Sequence, residues 1–115
     1  MKKDRRLTKA DDFAAVRRAG RSYSDRLLVL LARRNDLHRT RVGFSVSKRV
    51  GNSVQRNKAK RRMRELLRLS PLLEGWDLVF VARRGVVSAT PSNLSVSTST
   101  LLSRAGVLPV PVVRK

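Results

Sequence analysis

The chain predicts an α+β fold, a two-layer α/β sandwich whose elements run helix, strand, strand, helix, strand, helix. Three observations carry that expectation. Apolar residues recur at helical spacing near both ends of the chain, and three apolar segments have the length and pattern of strands. Between the second and third of these strands lies a densely basic stretch whose apolar residues fall on a single helical arc.

Taken in order, residues 8–19 place Phe13, Val16 and Ala19, with Ala14 and Ala15 beside them, near helical spacing. Thr8 followed by Asp11 resembles a capping box with Asp in place of Glu, and Gly20 ends the helix. Leu27-Leu28-Val29-Leu30-Leu31 is a continuous apolar run of strand length, with room for a short extra strand just before it, near residues 22–24. After a polar turn over residues 35–39, Val42, Phe44 and Val46 alternate with Arg41, Gly43, Ser45 and Ser47, as in a strand with one buried side. These two strands are expected to pair as a hairpin.

Asn52 or Ser53 is positioned to cap the next helix, which should run to about Leu69 before Ser70-Pro71 stops it. At about 100° per residue, Ala59, Met63, Leu66 and Leu67 share one arc, while Asn57, Lys60, Arg61, Arg64 and Arg68 share a neighbouring one. Residues 77–82 are apolar almost throughout, as expected for a strand buried on both faces in the middle of a sheet. Thr90-Pro91 opens a last helix in which Leu94, Leu101, Leu102 and Ala105 keep helical spacing up to Gly106. Its middle, Ser95-Val96-Ser97-Thr98-Ser99-Thr100, is poor in helix formers and must depend on tertiary packing. Residues 1–106 read as one domain and 107–115 as an extended, loosely held tail. The basic helix crosses between two strands read as parallel, and local physics favours a right-handed crossover.

The 115 residues contain 27 Lys plus Arg against 8 Asp plus Glu, a formal net charge of +19. Over residues 39–68 only Glu65 is acidic. An ordinary solvated face mixes signs, so this density points to a polyanion, which relieves self-repulsion and gains affinity by releasing counterions. Nucleic acid is the leading partner. A hydrophobic content of 41% argues against a disordered basic tail. The absence of cysteine excludes disulfides, thiolate metal sites and cysteine nucleophiles, and no stretch approaches the roughly 18 apolar residues of a membrane span. A cytoplasmic protein with no membrane partner is expected.

No set of carboxylates or histidines is spaced to bind metal or to form an acid–base pair, so no catalytic and no metal-ligating residues are assigned. Asp11 and Asp12 read as first-turn charges that complement a helix dipole, and His38, the only histidine, as a solvated turn residue. Trp76 and Tyr23 read as packing residues near strand ends, as does Phe44 within its strand.

Arg56-Asn57-Lys58-Ala59-Lys60-Arg61-Arg62-Met63-Arg64 fits the pattern Arg-Asn-x-x-Lys-Arg-x-x-Arg throughout. With the preceding run from Gly43 through Lys48, Arg49 and Asn52, the Asp12-Phe13 helix and Ala82-Arg83 after the last strand, it resembles the protein subunit of bacterial ribonuclease P. The resemblance implies a fold related to the second domain of a small-subunit ribosomal protein, with a left-handed β-α-β crossover that overrides the right-handed expectation. It also implies a partner RNA subunit that carries the active site and its Mg2+ and removes the 5′ leader of precursor tRNA, the protein itself binding no cofactor.

In those terms Arg56, Asn57, Lys60, Arg61 and Arg64 would meet the RNA subunit and the adjacent leader, with Lys58, Arg62, Arg68, Lys48 and Arg49 extending the patch. The leader would lie in a shallow cleft between the first helix and the sheet, at Phe13, Arg17, Val29 and Leu31. Some relatives carry aromatics at the positions of Leu31 and Arg17, so stacking is reduced here and no base preference carries over. A monomer in a 1:1 complex with the RNA is implied, without DNA. The alternatives are a general or ribosomal RNA-binding protein, which the composition allows equally, and a metal-dependent nuclease, which lacks the acids it would need.

Overall fold

Four strands form one sheet in the order β1-β2-β4-β3, and the strand with continuous apolar sequence takes an inner position. In this computed structural model, which describes residues 5–109, the elements are α1 (Ala10–Ala19), β1 (Arg21–Ser24), β2 (Leu28–Arg34), β3 (Arg41–Ser45), α2 (Ser53–Arg68), β4 (Trp76–Ala82), a 3₁₀ helix (Arg84–Ser88) and α3 (Pro91–Ala105). Leu78, Val79 and Phe80 are buried, so both faces of β4 are covered as expected. β4 pairs antiparallel with β2, Leu30 opposite Phe80, and parallel with β3, Phe44 opposite Phe80. β1, the short strand near residues 22–24, pairs antiparallel with β2.

The expected β2–β3 hairpin does not form, because β4 lies between the two strands. A local hairpin would have left the most apolar strand at an edge, with its backbone groups and one apolar face unpaired. Inserting β4 buries it on both sides and makes α2 the crossover between parallel neighbours.

One face of the sheet presents Leu28, Leu30, Ala32, Leu78 and Phe80 to Met63 and Leu67 of α2 and to Leu94, Leu101 and Leu102 of α3. This sheet and helix pair are the two layers of the sandwich. The opposite face carries α1, whose Val16 packs on Val79 together with Leu7. Phe13, Leu31 and Val81 around that contact remain partly exposed.

The helix boundaries follow their caps. Asn52 accepts from the Gln55 amide, and the Gln55 side chain accepts from the Asn52 amide, so α2 opens on a complete capping box. Thr90 and Asn93 do the same for α3, whose C-cap Gly106 takes the left-handed φ of 74° that favours glycine. The weak middle of α3 is held by tertiary contacts. Ser97 and Thr98 are buried, with Ser97 donating to the Asp25 carboxylate and Thr98 to the Leu94 carbonyl. Burial alone would raise the Asp25 pKa, but the Ser97 hydroxyl, the Leu28 and Leu27 amides and the Arg104 charge outweigh it and hold the carboxyl below its ordinary value.

At α1 the anticipated Thr8–Asp11 box is absent. The helix is capped by Lys9 with no side-chain bond. The Leu7 amide donates to the Val42 carbonyl at 3.0 Å, which keeps the chain before Lys9 extended alongside β3, so Thr8 cannot serve as the N-cap. Asp11 and Asp12 do lie in the first turn. His38 is exposed in the turn, Phe44 stacks on Phe80 at 6.3 Å, and Arg34 lies 5.1 Å over the Trp76 ring. Val107, assigned to the tail, is buried, and its carbonyl accepts from the Leu73 amide at 2.7 Å. Residues 110–115 of that tail lie outside the described residues.

Candidate RNA interface

α2 is positioned from its buried side. Ala59, Met63 and Leu67, spaced four apart, enter the core, which turns the intervening cations outward. Val54, Asn57, Lys58, Lys60, Arg61 and Arg64 surround one shallow hollow on the outer face. Arg62 departs from this group. It lies on the opposite flank, with Leu66, Leu69 and Pro91 in a groove between α2 and α3 that Arg61 also reaches. Arg56 is partly buried and donates to the Ser53 hydroxyl at 3.2 Å.

Lys48 and Arg49 occupy the exposed corner of a turn closed by the Val50 amide on the Ser47 carbonyl at 3.1 Å. Arg68 pairs with Glu65 at 3.0 Å, and both side chains are more than half exposed. A pair of that kind is worth a few tenths of a kcal/mol to about 1 kcal/mol. It opposes one cation of the helix, and among the described residues the other cations of α2 make no ion pair.

The second feature is a groove on the α1 face of the sheet. Register aligns its floor in rows: Ser22, Leu31, Val79 and Gly43, then Ser24, Val29, Val81 and Ser45. Phe13 covers the first row so closely that a Cβ on Gly43 would come within 2.5 Å of its Cζ, which accounts for the glycine. Arg17 reaches over the second row and donates to the Ser45 hydroxyl at 3.3 Å. Phe13, Arg17, Val29 and Leu31 are thus brought together on one face. Val81 and Ser45 complete the groove, and only strand register reveals that they belong to it.

One end of the groove is closed by an ionic cluster that composition did not reveal. Arg41 donates to buried Asp77 through Nε at 2.9 Å and Nη2 at 2.7 Å, and through Nη1 to Asp12 on α1 at 3.2 Å. Asn35 donates to the same Asp77 carboxylate at 2.8 Å. The cluster ties α1 to the start of β3 and β4. Asp77 opens a stretch read from the sequence as an apolar strand, and nothing local to it names a partner.

The two features are continuous. Between α1 and α2, at the β3 edge, Thr8, Phe13, Gly43, Phe44, Lys60 and Arg64 line one concavity, so the basic face of α2 runs into the groove beside α1. Among the described residues no group of three or more His, Asp or Glu side chains is gathered as a metal site, and no helix is long and apolar enough to cross a membrane.

A family model described as Ribonuclease P matches residues 1–106. The chain belongs to the ribonuclease P protein family. A ribonuclease P protein component from Dehalococcoides mccartyi is 41% identical over 108 residues, spanning 94% of this chain and 90% of the relative. One from Clostridium novyi is 46% identical over 111 residues, spanning 93% and 98%. The solved ribonuclease P protein of Staphylococcus aureus superposes with a TM-score of 0.85 at 32% identity, covering 91% of this chain and 98% of the other. The fold is therefore that of a ribonuclease P protein.

Proposed function

We propose that this chain is the protein subunit of a ribonuclease P holoenzyme that removes the 5′ leader of precursor tRNA, with the catalytic centre and its Mg2+ carried by the RNA subunit. The observation that carries the reading is the continuity of two different surfaces through Phe13, Lys60 and Arg64. A face of unopposed cations suits folded RNA, whose phosphates take charge-assisted bonds from Arg and Lys without sequence readout. An apolar groove with one aromatic and one cation suits a single strand, whose unstacked bases lie on apolar groups while its phosphates meet the charge. One small protein can therefore touch the RNA subunit and the leader together.

On this reading Lys48, Arg49, Arg56, Asn57, Lys58, Lys60, Arg61 and Arg64 bind RNA. Arg62 contributes from the α3 flank, and Arg68 contributes less because Glu65 opposes it. Phe13, Arg17, Val29 and Leu31 form the leader site, and Leu31, without an aromatic ring, gives it little base preference. The protein supplies binding and orientation. A formal charge of +19 disfavours self-association, and on this reading the protein is a monomer in a 1:1 complex with the RNA in the cytoplasm.

The deciding experiment compares cleavage of a leader-bearing precursor tRNA at low Mg2+ by the protein, by a bacterial ribonuclease P RNA, and by the two mixed. Cleavage at the mature 5′ end is expected only in the mixture. No stimulation by the protein would return it to the general RNA-binding class.

Leu31→Glu adds a carboxylate to the groove floor and should weaken precursor binding by the holoenzyme about tenfold or more while leaving mature tRNA binding unchanged, since a like charge is brought against the leader phosphates. Equal losses for the two RNAs would mean that the leader runs elsewhere.

A further inference from the structure

The flank of α2 that turns toward α3 differs in chemistry from its basic outer face. There Leu66, Leu69, Pro91 and Leu94 floor a groove rimmed by Arg61, Arg62 and Glu65. Leu69, the C-cap of α2, is 74% exposed, and Leu66 is half-buried. Leucine and proline side chains offer a phosphate no hydrogen bond, so the floor suits an apolar surface while the rim suits negative charge.

Three observations select the occupant. Arg61 lines both this groove and the basic hollow that holds Asn57, Lys60 and Arg64, so RNA lying on the outer face of α2 passes the mouth of the groove. Glu65 is paired with Arg68, and neither Arg61 nor Arg62 makes an ion pair among the described residues, which leaves the rim positive. α2 and α3 cover one face of the sheet and α1 the other, so this groove and the leader groove lie on opposite sides. A second copy of the chain would set +19 against +19. A nucleotide combines both chemistries, since its base presents an apolar face between two anionic phosphates.

We infer that the α2–α3 groove is a base-binding site for the RNA subunit. An unpaired base turned out of its stack lies on Leu66, Leu69 and Pro91, and its flanking phosphates meet Arg61 and Arg62. The inference rests on the reading of α2 as the RNA-subunit face and adds a contact of a different kind. The outer cations hold phosphates whatever the sequence, so they leave the protein free to slide along the RNA. A base seated in the groove fixes which nucleotide lies against the helix, and so sets the register of protein on RNA.

The test titrates ribonuclease P RNA with wild-type, Leu69→Ser and Arg62→Gln protein across a salt series, and probes the bases and the backbone of each complex chemically. Leu69→Ser is expected to weaken assembly about fivefold at an unchanged log–log salt slope, because the contact removed is apolar. One unpaired base protected by the wild-type protein should become reactive in the Leu69→Ser complex, while backbone protection is kept. Arg62→Gln should instead lower the slope by ~0.7. Folding should survive Leu69→Ser, since the side chain it replaces is mostly in water. Wild-type affinity for Leu69→Ser, a lowered slope in that variant, or no base that differs in reactivity would each overturn the assignment. So would a Leu69→Ser loss confined to precursor over mature tRNA, which would give the groove to the leader, or a wild-type dimer that Leu69→Ser dissolves, which would give it to a second copy. If Lys60→Ala/Arg61→Ala/Arg64→Ala leaves the slope unchanged, the reading of α2 falls and the groove with it. A lowered slope in that triple variant beside an unaffected Leu69→Ser removes the groove alone.

Discussion

Arg41→Ala should destabilise the folded protein by about 3 kcal/mol, enough to leave a domain of this size marginal. Asp77 is 1% exposed and takes two of its hydrogen bonds from the Arg41 guanidinium. Truncating Arg41 leaves a buried carboxylate with the Asn35 amide as its remaining side-chain donor and frees Asp12 on α1. The loss comes from stranding a charge out of water more than from the attraction removed. The hydrogen bonds and charge of Asp77 raise the Arg41 pKa, against burial, so the guanidinium stays charged at any accessible pH. Urea unfolding in phosphate buffer, where anions offset the net charge, measures the effect. The double variant Arg41→Leu/Asp77→Leu should recover much of the loss, because it removes both charges together. A single-variant cost below about 1 kcal/mol would mean that water reaches Asp77 and satisfies it.

The largest functional effect is expected from removing three cations of α2 together. Each phosphate contact contributes about 0.7 to 0.9 to the slope of log affinity against log salt, so Lys60→Ala/Arg61→Ala/Arg64→Ala should lower the slope for RNA-subunit binding by about 2 to 3. Carried from about 1 M down to about 0.15 M salt, that slope corresponds to roughly a hundredfold weaker assembly. Stability should hardly change, since Arg61 and Arg64 are exposed and Lys60 is only partly buried, and none of them makes an ion pair among the described residues. An unchanged slope would show that the RNA meets a different face. Filter binding or fluorescence titration across a salt series supplies both numbers.

Helix starts and stops were legible because their chemistry is local. Asn52 with Gln55, Thr90 with Asn93, and Gly106 each act on amides or carbonyls within a few residues of themselves. Thr8 misled for a reason that is not local, since the Leu7 amide is bound by Val42 from a strand far along the chain. The strand identities were legible from alternation and apolar runs, and β4 went to the sheet interior because it is apolar on both faces. Its partners were not. Whether β2 pairs with β3 or both pair with β4 depends on the total area buried, which no segment of sequence carries alone.

The candidate interface divides along the same line. The basic residues of α2 lie within a few turns of one helix, so the 3.6-residue period alone turns Lys60, Arg61 and Arg64 outward and Met63 inward. The groove draws on α1, β2, β3 and β4. The family resemblance pointed to Phe13, Arg17, Val29 and Leu31, while Val81 and Ser45 join them only through register.

By itself, the sequence determined the charge, the caps, the helical and strand periods, and the polyanionic class of partner. All of these depend on composition or on contacts within a helical turn. The tertiary structure alone decided that β4 separates β2 from β3, that Arg41 holds Asp77 and Asp12, and that the basic helix runs into the groove. These depend on which distant surfaces exclude water together, and that free energy belongs to the assembled sheet.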